Sequence, residues 1–102
     1  MAQVLDQLRI VDFTSGISGP MACGLLAQHG AEVIKVETPA GDRMAGDPGY
    51  LTWNANKQVI TLDLASEPGR SAALNLIASA DLAVFDALPG ELERQGFDAA
   101  TL

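Results

Sequence analysis

Positive charge and cysteine are both scarce in this chain. Six lysines and arginines face 13 aspartates and glutamates, which gives the 102 residues a formal net charge of −7. Nonspecific binding to nucleic acid or to an anionic membrane depends on basic patches, so neither partner is expected. A ligand with several phosphate groups could be held only if the few cations cluster.

Cys23 and His29 are the only residues of their kinds. A lone cysteine forms no internal disulfide and is typical of a reducing compartment, so we expect a cytoplasmic protein. The sequence has no metal-ligand spacing and no serine–histidine–acid set, so no metal is expected. Cys23 is interpreted as a small buried hydrophobe, and His29 as a helix-end residue that suits the helix dipole. No signal peptide, polybasic tail or transmembrane run is recognisable.

Hydrophobic residues make up 48% of the chain, and their spacing predicts alternating strands and helices. The predicted strands cover residues 9–14, 31–37, 58–64 and 81–85. The predicted helices cover residues 21–29, a segment from the cap Ser66 to Ala80, and residues 91–95, with another helix beginning at 97–102. Because strands joined through helices pair in parallel with right-handed crossovers, the sequence predicts one α/β domain with a parallel sheet.

The first helix and the segment after the second strand carry specific expectations. The helix is predicted to bury an apolar stripe made of Met21, Ala22, Leu25 and Leu26. Residues 38–56 contain glycines and prolines without periodicity, which predicts a long loop that is functional or mobile.

A glycine-bearing turn at residues 15–20 follows the first strand, where open α/β sheets usually bind ligands. A nicotinamide site is one interpretation, since Glu37 ends the second strand as a ribose-binding acid would. The G-x-G-x-x-G fingerprint is absent, however, and Pro20 lacks an N–H group. A turn without any ligand is the commoner interpretation. Asp12, near the end of the first strand, is either a catalytic acid or an acceptor for N–H groups of the turn.

Several short motifs occur in one order along the whole chain. They are IVDFT (10–14), GP (19–20), GAEVIKVE (30–37), GD (41–42), NANK (54–57), ITLDL (60–64), EPGR (67–70), ADL (80–82) and PGELERQGF (89–97). Together they resemble the opening of the family III CoA-transferases, which include formyl-CoA and carnitine CoA-transferases and the α-methylacyl-CoA racemases. The resemblance covers essentially all 102 residues.

The resemblance implies a Rossmann-like parallel sheet with flanking helices, of which residues 1–102 form the N-terminal CoA-binding segment of a larger, interlocked homodimer. Members move CoA between carboxylic acids through an aspartyl acyl anhydride, so the implied substrates are an acyl-CoA and a carboxylic acid. The matching aspartate would lie beyond Leu102, so no catalytic residue is expected here and the chain alone should be inactive. The implied CoA-binding residues are Ser15, Gly16, Ile17, Ser18, Thr38, Leu62, Asp86, Ala87 and Arg94.

Three positions depart from the family pattern, and each either removes a cation or puts an acid where a neutral amide is usual. Thr38 stands where an arginine often follows the second strand, Ala65 where a basic residue is common, and Asp86 where an asparagine is usual. Each charge-assisted bond to phosphate contributes roughly 1.5–3 kcal/mol, so weaker CoA binding is expected. The resemblance therefore leaves two interpretations: a divergent transferase or acyl-CoA racemase with altered CoA contacts, or a degenerate, non-catalytic half of a duplicated transferase kept for structure or dimerisation.

Overall fold

Four parallel strands form one sheet in the computed structural model, which describes residues 3–88 and 90–97. The strands are β1 (Arg9–Asp12), β2 (Glu32–Glu37), β3 (Gln58–Thr61) and β4 (Leu82–Val84). The helices are α1 (Ser18–Gln28), α2 (Pro48–Trp53), α3 (Glu67–Ala78) and α4 (Glu91–Arg94). The strand order β3-β2-β1-β4 places β1 and β2 in the interior. The predicted α/β class and parallel sheet are confirmed.

The two interior strands supply the buried centre of the sheet. Ile10 of β1 pairs with Val33 of β2 on one side and with Leu82 of β4 on the other. Strands covered on both faces appear in a sequence as nearly continuous apolar runs, which explains the runs that predicted them. The buried core cluster consists of Ile10, Cys23, Ala27, Ala31 and Val33. Burial raises the pKa of the Cys23 thiol to about 11, which fits its interpretation as a small hydrophobe.

Helix α1 buries small residues instead of the predicted apolar stripe. Its buried residues are Pro20, Cys23, Gly24 and Ala27. Met21 and Leu25 are 47% and 56% exposed, and of the four stripe residues Leu26 alone packs against the core cluster. A Cβ on Gly24 would overlap the carbonyl oxygen of Trp53. The prediction was wrong because close packing of α1 against its neighbours selects small side chains there and turns the large ones outward.

The predicted C-terminus of α1 and the predicted N-cap of α3 are confirmed, whereas α1 begins three residues before the predicted start and α3 ends two residues before the predicted end. His29 is the C-cap of α1, and Gly30 follows it with φ of +106°, a backbone conformation that glycine adopts readily. Ser66 caps α3, since its Oγ accepts a hydrogen bond from the N–H of Gly69 at 3.1 Å. Ala73 of α3 is fully buried.

The segment predicted as a long loop contains a short helix. Helix α2 follows Asp47, whose Oδ1 accepts a hydrogen bond from the N–H of Gly49 at 2.8 Å, and Pro48 takes its first position. Only six residues long, α2 offers too little sequence for an apolar period to appear.

The strands are shorter than predicted. Strand β1 ends at Asp12, whose Oδ1 accepts the N–H of Thr14 at 2.8 Å and turns the chain out of the sheet. Strand β3 ends at Thr61, three residues before the predicted boundary. Phe97 is not helical. The rest of the helix predicted at residues 97–102 lies outside the described residues.

No helix in residues 3–88 and 90–97 is both long and apolar enough to cross a membrane. Within the same residues, no group of three or more His, Cys, Asp or Glu side chains is arranged to hold a metal ion.

Candidate functional site

Two adjoining grooves lie at the edge of the sheet where β1, β2 and β4 end. In parallel sheets this edge usually carries the ligand site. The first groove has a volume of about 410 Å³ and is lined in part by Phe13, Thr38, Phe85, Asp86 and Ala87. The second has a volume of about 420 Å³ and is lined in part by Ser15, Ile17, Ser18 and Met44. Because Arg43 and Asp86 line both grooves, we call the two together the edge groove.

Six of the nine predicted CoA-binding residues line the edge groove: Ser15, Ile17, Ser18, Thr38, Asp86 and Ala87. Gly16 is buried, and a Cβ placed on it would overlap the guanidinium of Arg43. Leu62 and Arg94 are not among the lining residues of either groove. The structure therefore brings the turn and the end of β4 together. Arg94, the cation that the resemblance implies for CoA binding, does not line the edge groove.

A cluster of three aromatic rings supports the first groove. The rings of Phe13 and Phe85 are stacked with centroids 4.7 Å apart and an interplanar angle of 5°. Phe97 packs beside both at 6.1 and 6.0 Å and is fully buried. The N–H of Phe13 also donates to the carbonyl of Val84 at 2.9 Å. This packing fixes the end of β4 against the end of β1, and so fixes where Asp86 stands.

A buried ion pair joins the start of β3 to the end of β1. Lys57 Nζ lies 2.8 Å from Asp12 Oδ2, and both side chains are fully buried. The same ammonium group donates to the carbonyl of Pro20 at 2.8 Å and to Asn54 Oδ1 at 2.7 Å. All three ammonium protons have partners, which is the condition under which a buried charge is tolerated. Asp12 thus serves structure, since Oδ1 accepts the N–H of Thr14 and Oδ2 holds Lys57.

A second buried ion pair ties the loop after β2 to the turn after β1. Lys35 Nζ donates to the carbonyl of Thr14 at 2.7 Å and lies 2.8 Å from Asp42 Oδ2. Asp42 Oδ1 accepts the N–H groups of Gly16 at 3.1 Å and Met44 at 2.8 Å. Burial by itself raises the pKa of the Asp42 carboxyl, but Lys35 and the two N–H groups hold that pKa below its usual range.

Carboxylates accept hydrogen bonds from the first two N–H groups of the turn. Ser15 donates its N–H to Asp86 Oδ2 at 3.1 Å, and Gly16 donates its N–H to Asp42 Oδ1 at 3.1 Å. In phosphate-binding turns, such N–H groups face the ligand. Recognition of an anion in the edge groove must therefore use other donors, or displace Asp86.

A hydrogen bond from Tyr50 links α2 to the end of β2. The Tyr50 hydroxyl donates this hydrogen bond to the carboxylate of Glu37. Burial, this hydrogen bond and the charge of Glu37 raise the pKa of Tyr50 to about 12. Glu37, the candidate ribose-binding acid, is thus hydrogen-bonded to another residue of the same chain.

Sequence reasoning missed Lys35, Lys57 and Arg43 as residues that shape this site. Lys35 carried a usable signal, because a lysine inside the apolar run VIKV must either face solvent or find a buried partner. Lys57 and Arg43 carried none, since each follows a polar or glycine-rich stretch where a charged residue is normally solvated. Their partners are 45 and 27 residues away (Asp12 and Gly16), distances that only the fold closes.

We expect the contribution of Asp42 to stability to be lost in acid. Because folding lowers the pKa of Asp42 below its ordinary value of 3.8, the stabilisation is present above that pH and disappears as pH falls through the folded pKa. Urea unfolding from about pH 6 to about pH 3 should show the stability difference between the wild type and Asp42→Asn shrinking on acidification. A difference that stays constant over this range would contradict the assignment.

Comparisons with known proteins identify relatives along the whole chain. A family model described as CoA-transferase family III matches residues 5–102. The chain is 44% identical over 107 residues to a formyl-CoA:oxalate CoA-transferase of Afipia carboxidovorans, covering 95% of this chain and 25% of the relative. It is 36% identical over 106 residues to a probable fatty acyl-CoA transferase of Mycobacterium tuberculosis, covering 93% and 27%. This chain therefore spans about a quarter of the length of the curated relatives it matches.

Solved structures support the same relationship. A crystal structure of a hypothetical protein from Mycobacterium tuberculosis matches with a TM-score of 0.92 and 34% identity, over 98% of this chain and 30% of that chain. A crystal structure of a CaiB/BaiF family protein from Brucella suis matches with a TM-score of 0.86 and 31% identity, over 99% and 30%. At this identity and coverage, the likeness extends to the entire described fold.

Proposed function

Because this chain belongs to CoA-transferase family III, we propose that it is the CoA-binding N-terminal part of an enzyme that moves CoA between carboxylic acids. One observation carries the proposal. The turn after β1, Thr38 and the end of β4, which are distant in sequence, converge on the edge groove. Relatives named as CoA-transferases support the same reaction class. The substrates would be an acyl-CoA and a carboxylic acid.

The proposed reaction needs a carboxylate that this chain does not supply. In the transfer step, an aspartate beyond Leu102 attacks the thioester carbonyl, which forms an acyl anhydride and releases CoA as its thiolate. The residues of this chain would bind and orient CoA during that step. We propose that the complete enzyme works as a cytoplasmic homodimer, and that the 102-residue chain by itself is inactive.

Asp86 favours a second candidate, a degenerate half kept for structure or dimerisation. Its carboxylate lines the edge groove and accepts the N–H of Ser15, so it places negative charge beside the position proposed for CoA phosphates. Thr38 lines the same groove without charge. Racemisation of acyl-CoA, with a proton moved at the carbon next to the thioester, is a further alternative within the family.

Titration of the purified 102-residue protein with CoA, followed by residue-resolved NMR, separates these candidates. Binding at the edge groove should shift the amide signals of residues 15–19, Thr38 and residues 86–94, and leave those at the opposite ends of the strands unchanged. A folded spectrum without shifts at millimolar CoA would contradict the binding proposal and favour the structural module. Shifts elsewhere in the chain would contradict the assigned site.

Replacing Asp86 with asparagine should tighten CoA binding about 2- to 10-fold at low ionic strength, because the change removes a negative charge from the groove. The amide oxygen of the introduced side chain can still accept the N–H of Ser15. Asp81→Asn is the matched control, since Asp81 Oδ2 accepts the N–H of Arg9 at 2.9 Å at the start of β1. Both changes remove one charge, so an equal gain from the two variants would mean that only net charge matters. Adding Thr38→Arg to Asp86→Asn should increase affinity further.

A further inference from the structure

Arg43 is the one cation that lines the edge groove in the part of the chain the structure describes. Lys35 and Lys57 are buried in ion pairs, and Arg9 pairs with Glu32. Arg43 itself is exposed. Among residues 3–88 and 90–97, no carboxylate lies within ion-pair distance of its guanidinium. Arg43 thus presents a positive group to the groove without an ion-pair partner, although the carboxylates of Asp86 and Glu91 also line the groove.

The backbone on both sides of Arg43 is fixed. Asp42 is held by Lys35 and accepts the N–H groups of Gly16 and Met44. Arg43 therefore lies between two anchored residues. A side chain that starts from a fixed backbone loses less conformational entropy when it binds a ligand.

The guanidinium of Arg43 packs directly against Gly16. The φ of Gly16 is +87°, and a Cβ placed there would overlap Nη2 of Arg43. The absent side chain thus lets the guanidinium lie directly against the turn. Arg43 also lines the second groove together with Ser15 and Ser18, whose hydroxyl groups can donate further hydrogen bonds to an anion.

We propose that Arg43 binds a phosphate group of CoA in the edge groove. The inference rests on the proposed function, and it names the part of the ligand that this residue recognises. The first two N–H groups of the turn are taken by Asp86 and Asp42, so the groove needs a donor from another source. Arginine suits that task, because its planar fork of N–H groups matches phosphate oxygens and keeps its charge at all physiological pH values.

The test measures CoA dissociation constants for the wild type, Arg43→Ala and Arg43→Lys, at low ionic strength and at about 0.5 M salt. Arg43→Ala should weaken CoA binding roughly 10- to 100-fold at low ionic strength, with a much smaller loss in high salt. The CoA affinity of Arg43→Lys should lie between those of the wild type and Arg43→Ala, because lysine keeps the charge but lacks the planar fork of N–H groups. Arg9→Gln is the control, since it removes one positive charge at the start of β1, and its CoA affinity should remain near that of the wild type.

Dephospho-CoA distinguishes which phosphate is bound. If the loss caused by Arg43→Ala persists with this ligand, Arg43 contacts the diphosphate, and if the loss disappears, Arg43 contacts the 3′-phosphate. Unchanged CoA affinity in Arg43→Ala, or an equal loss at both salt concentrations, would overturn the inference while leaving CoA binding itself established. Absence of CoA binding in the wild type would overturn the proposed function together with the inference.

Discussion

Lys57→Met should lower the free energy of unfolding by about 3–5 kcal/mol. The substitution leaves Asp12 charged and fully buried without its ion partner. It also removes the donor to the Pro20 carbonyl and to Asn54, both within 2.8 Å of the ammonium group. Since small domains are stable by only about 5–15 kcal/mol in total, this one change would remove a large share of the stability.

Urea unfolding followed by the fluorescence of Trp53 measures this effect, because Trp53 is the only tryptophan and ends α2 near the affected segment. Glu32→Gln is the matched control. It breaks the pair between Glu32 and Arg9, whose side chains are 48% and 38% exposed, and should cost only about 0–1 kcal/mol. Equal losses in the two variants would show that burial does not set the strength of these pairs.

Lys35→Met should cost a similar 3–5 kcal/mol, with its structural effect concentrated in the loop after β2. Asp42 would remain buried and charged, and the Thr14 carbonyl would lose its donor. Amide hydrogen exchange should therefore increase most at Gly16 and Met44, whose N–H groups depend on the position of Asp42.

Adding Asp42→Asn to Lys35→Met provides the discriminating comparison. The double variant removes the unpaired negative charge of Asp42, while the introduced asparagine can still accept hydrogen bonds from Gly16 and Met44. It should recover part of the stability lost in Lys35→Met, because an unpaired buried charge costs more than a neutral polar group. If the double variant is less stable than Lys35→Met, the penalty does not arise from the stranded carboxylate.

The two buried pairs also connect the fold to the proposed ligand site. Lys57 joins β1, α1 and the segment before β3, and Lys35 joins β2 to the turn and to Asp42. Both wall segments of the edge groove, the turn after β1 and the loop that carries Arg43, are therefore held by charges inside the protein. Weakening either pair should loosen the groove even though neither lysine lines its two parts.

Local sequence patterns were enough for the elements whose causes are local. Continuous apolar runs predicted β1 and β2, the serine cap Ser66 correctly marked the start of α3, and the helix-end residue His29 correctly marked the end of α1. The inward face of α1 could not be predicted in this way. Met21 and Leu25 fit an apolar stripe, but Gly24 must face the Trp53 carbonyl, so the small face is the buried one.

The residues of the edge groove were likewise predicted only in part. Resemblance in ordered motifs drew attention to the turn, Thr38 and Asp86, which do converge on one groove. It also selected Arg94, which does not line that groove, and passed over Arg43, which lines both of its parts. Position along a motif does not reveal where a long side chain ends.

Periodicity and ordered local motifs are sufficient for the α/β class, the parallel order of strands and helices, and the family. They are not sufficient for the burial of Lys35 and Lys57, for the carboxylates on the N–H groups of the turn, or for the contact of Arg43 with Gly16. Charged groups are stabilised by whatever partner the folded chain brings within about 3 Å. Those partners lie 7 to 71 residues apart along the chain, and no local pattern encodes such a meeting.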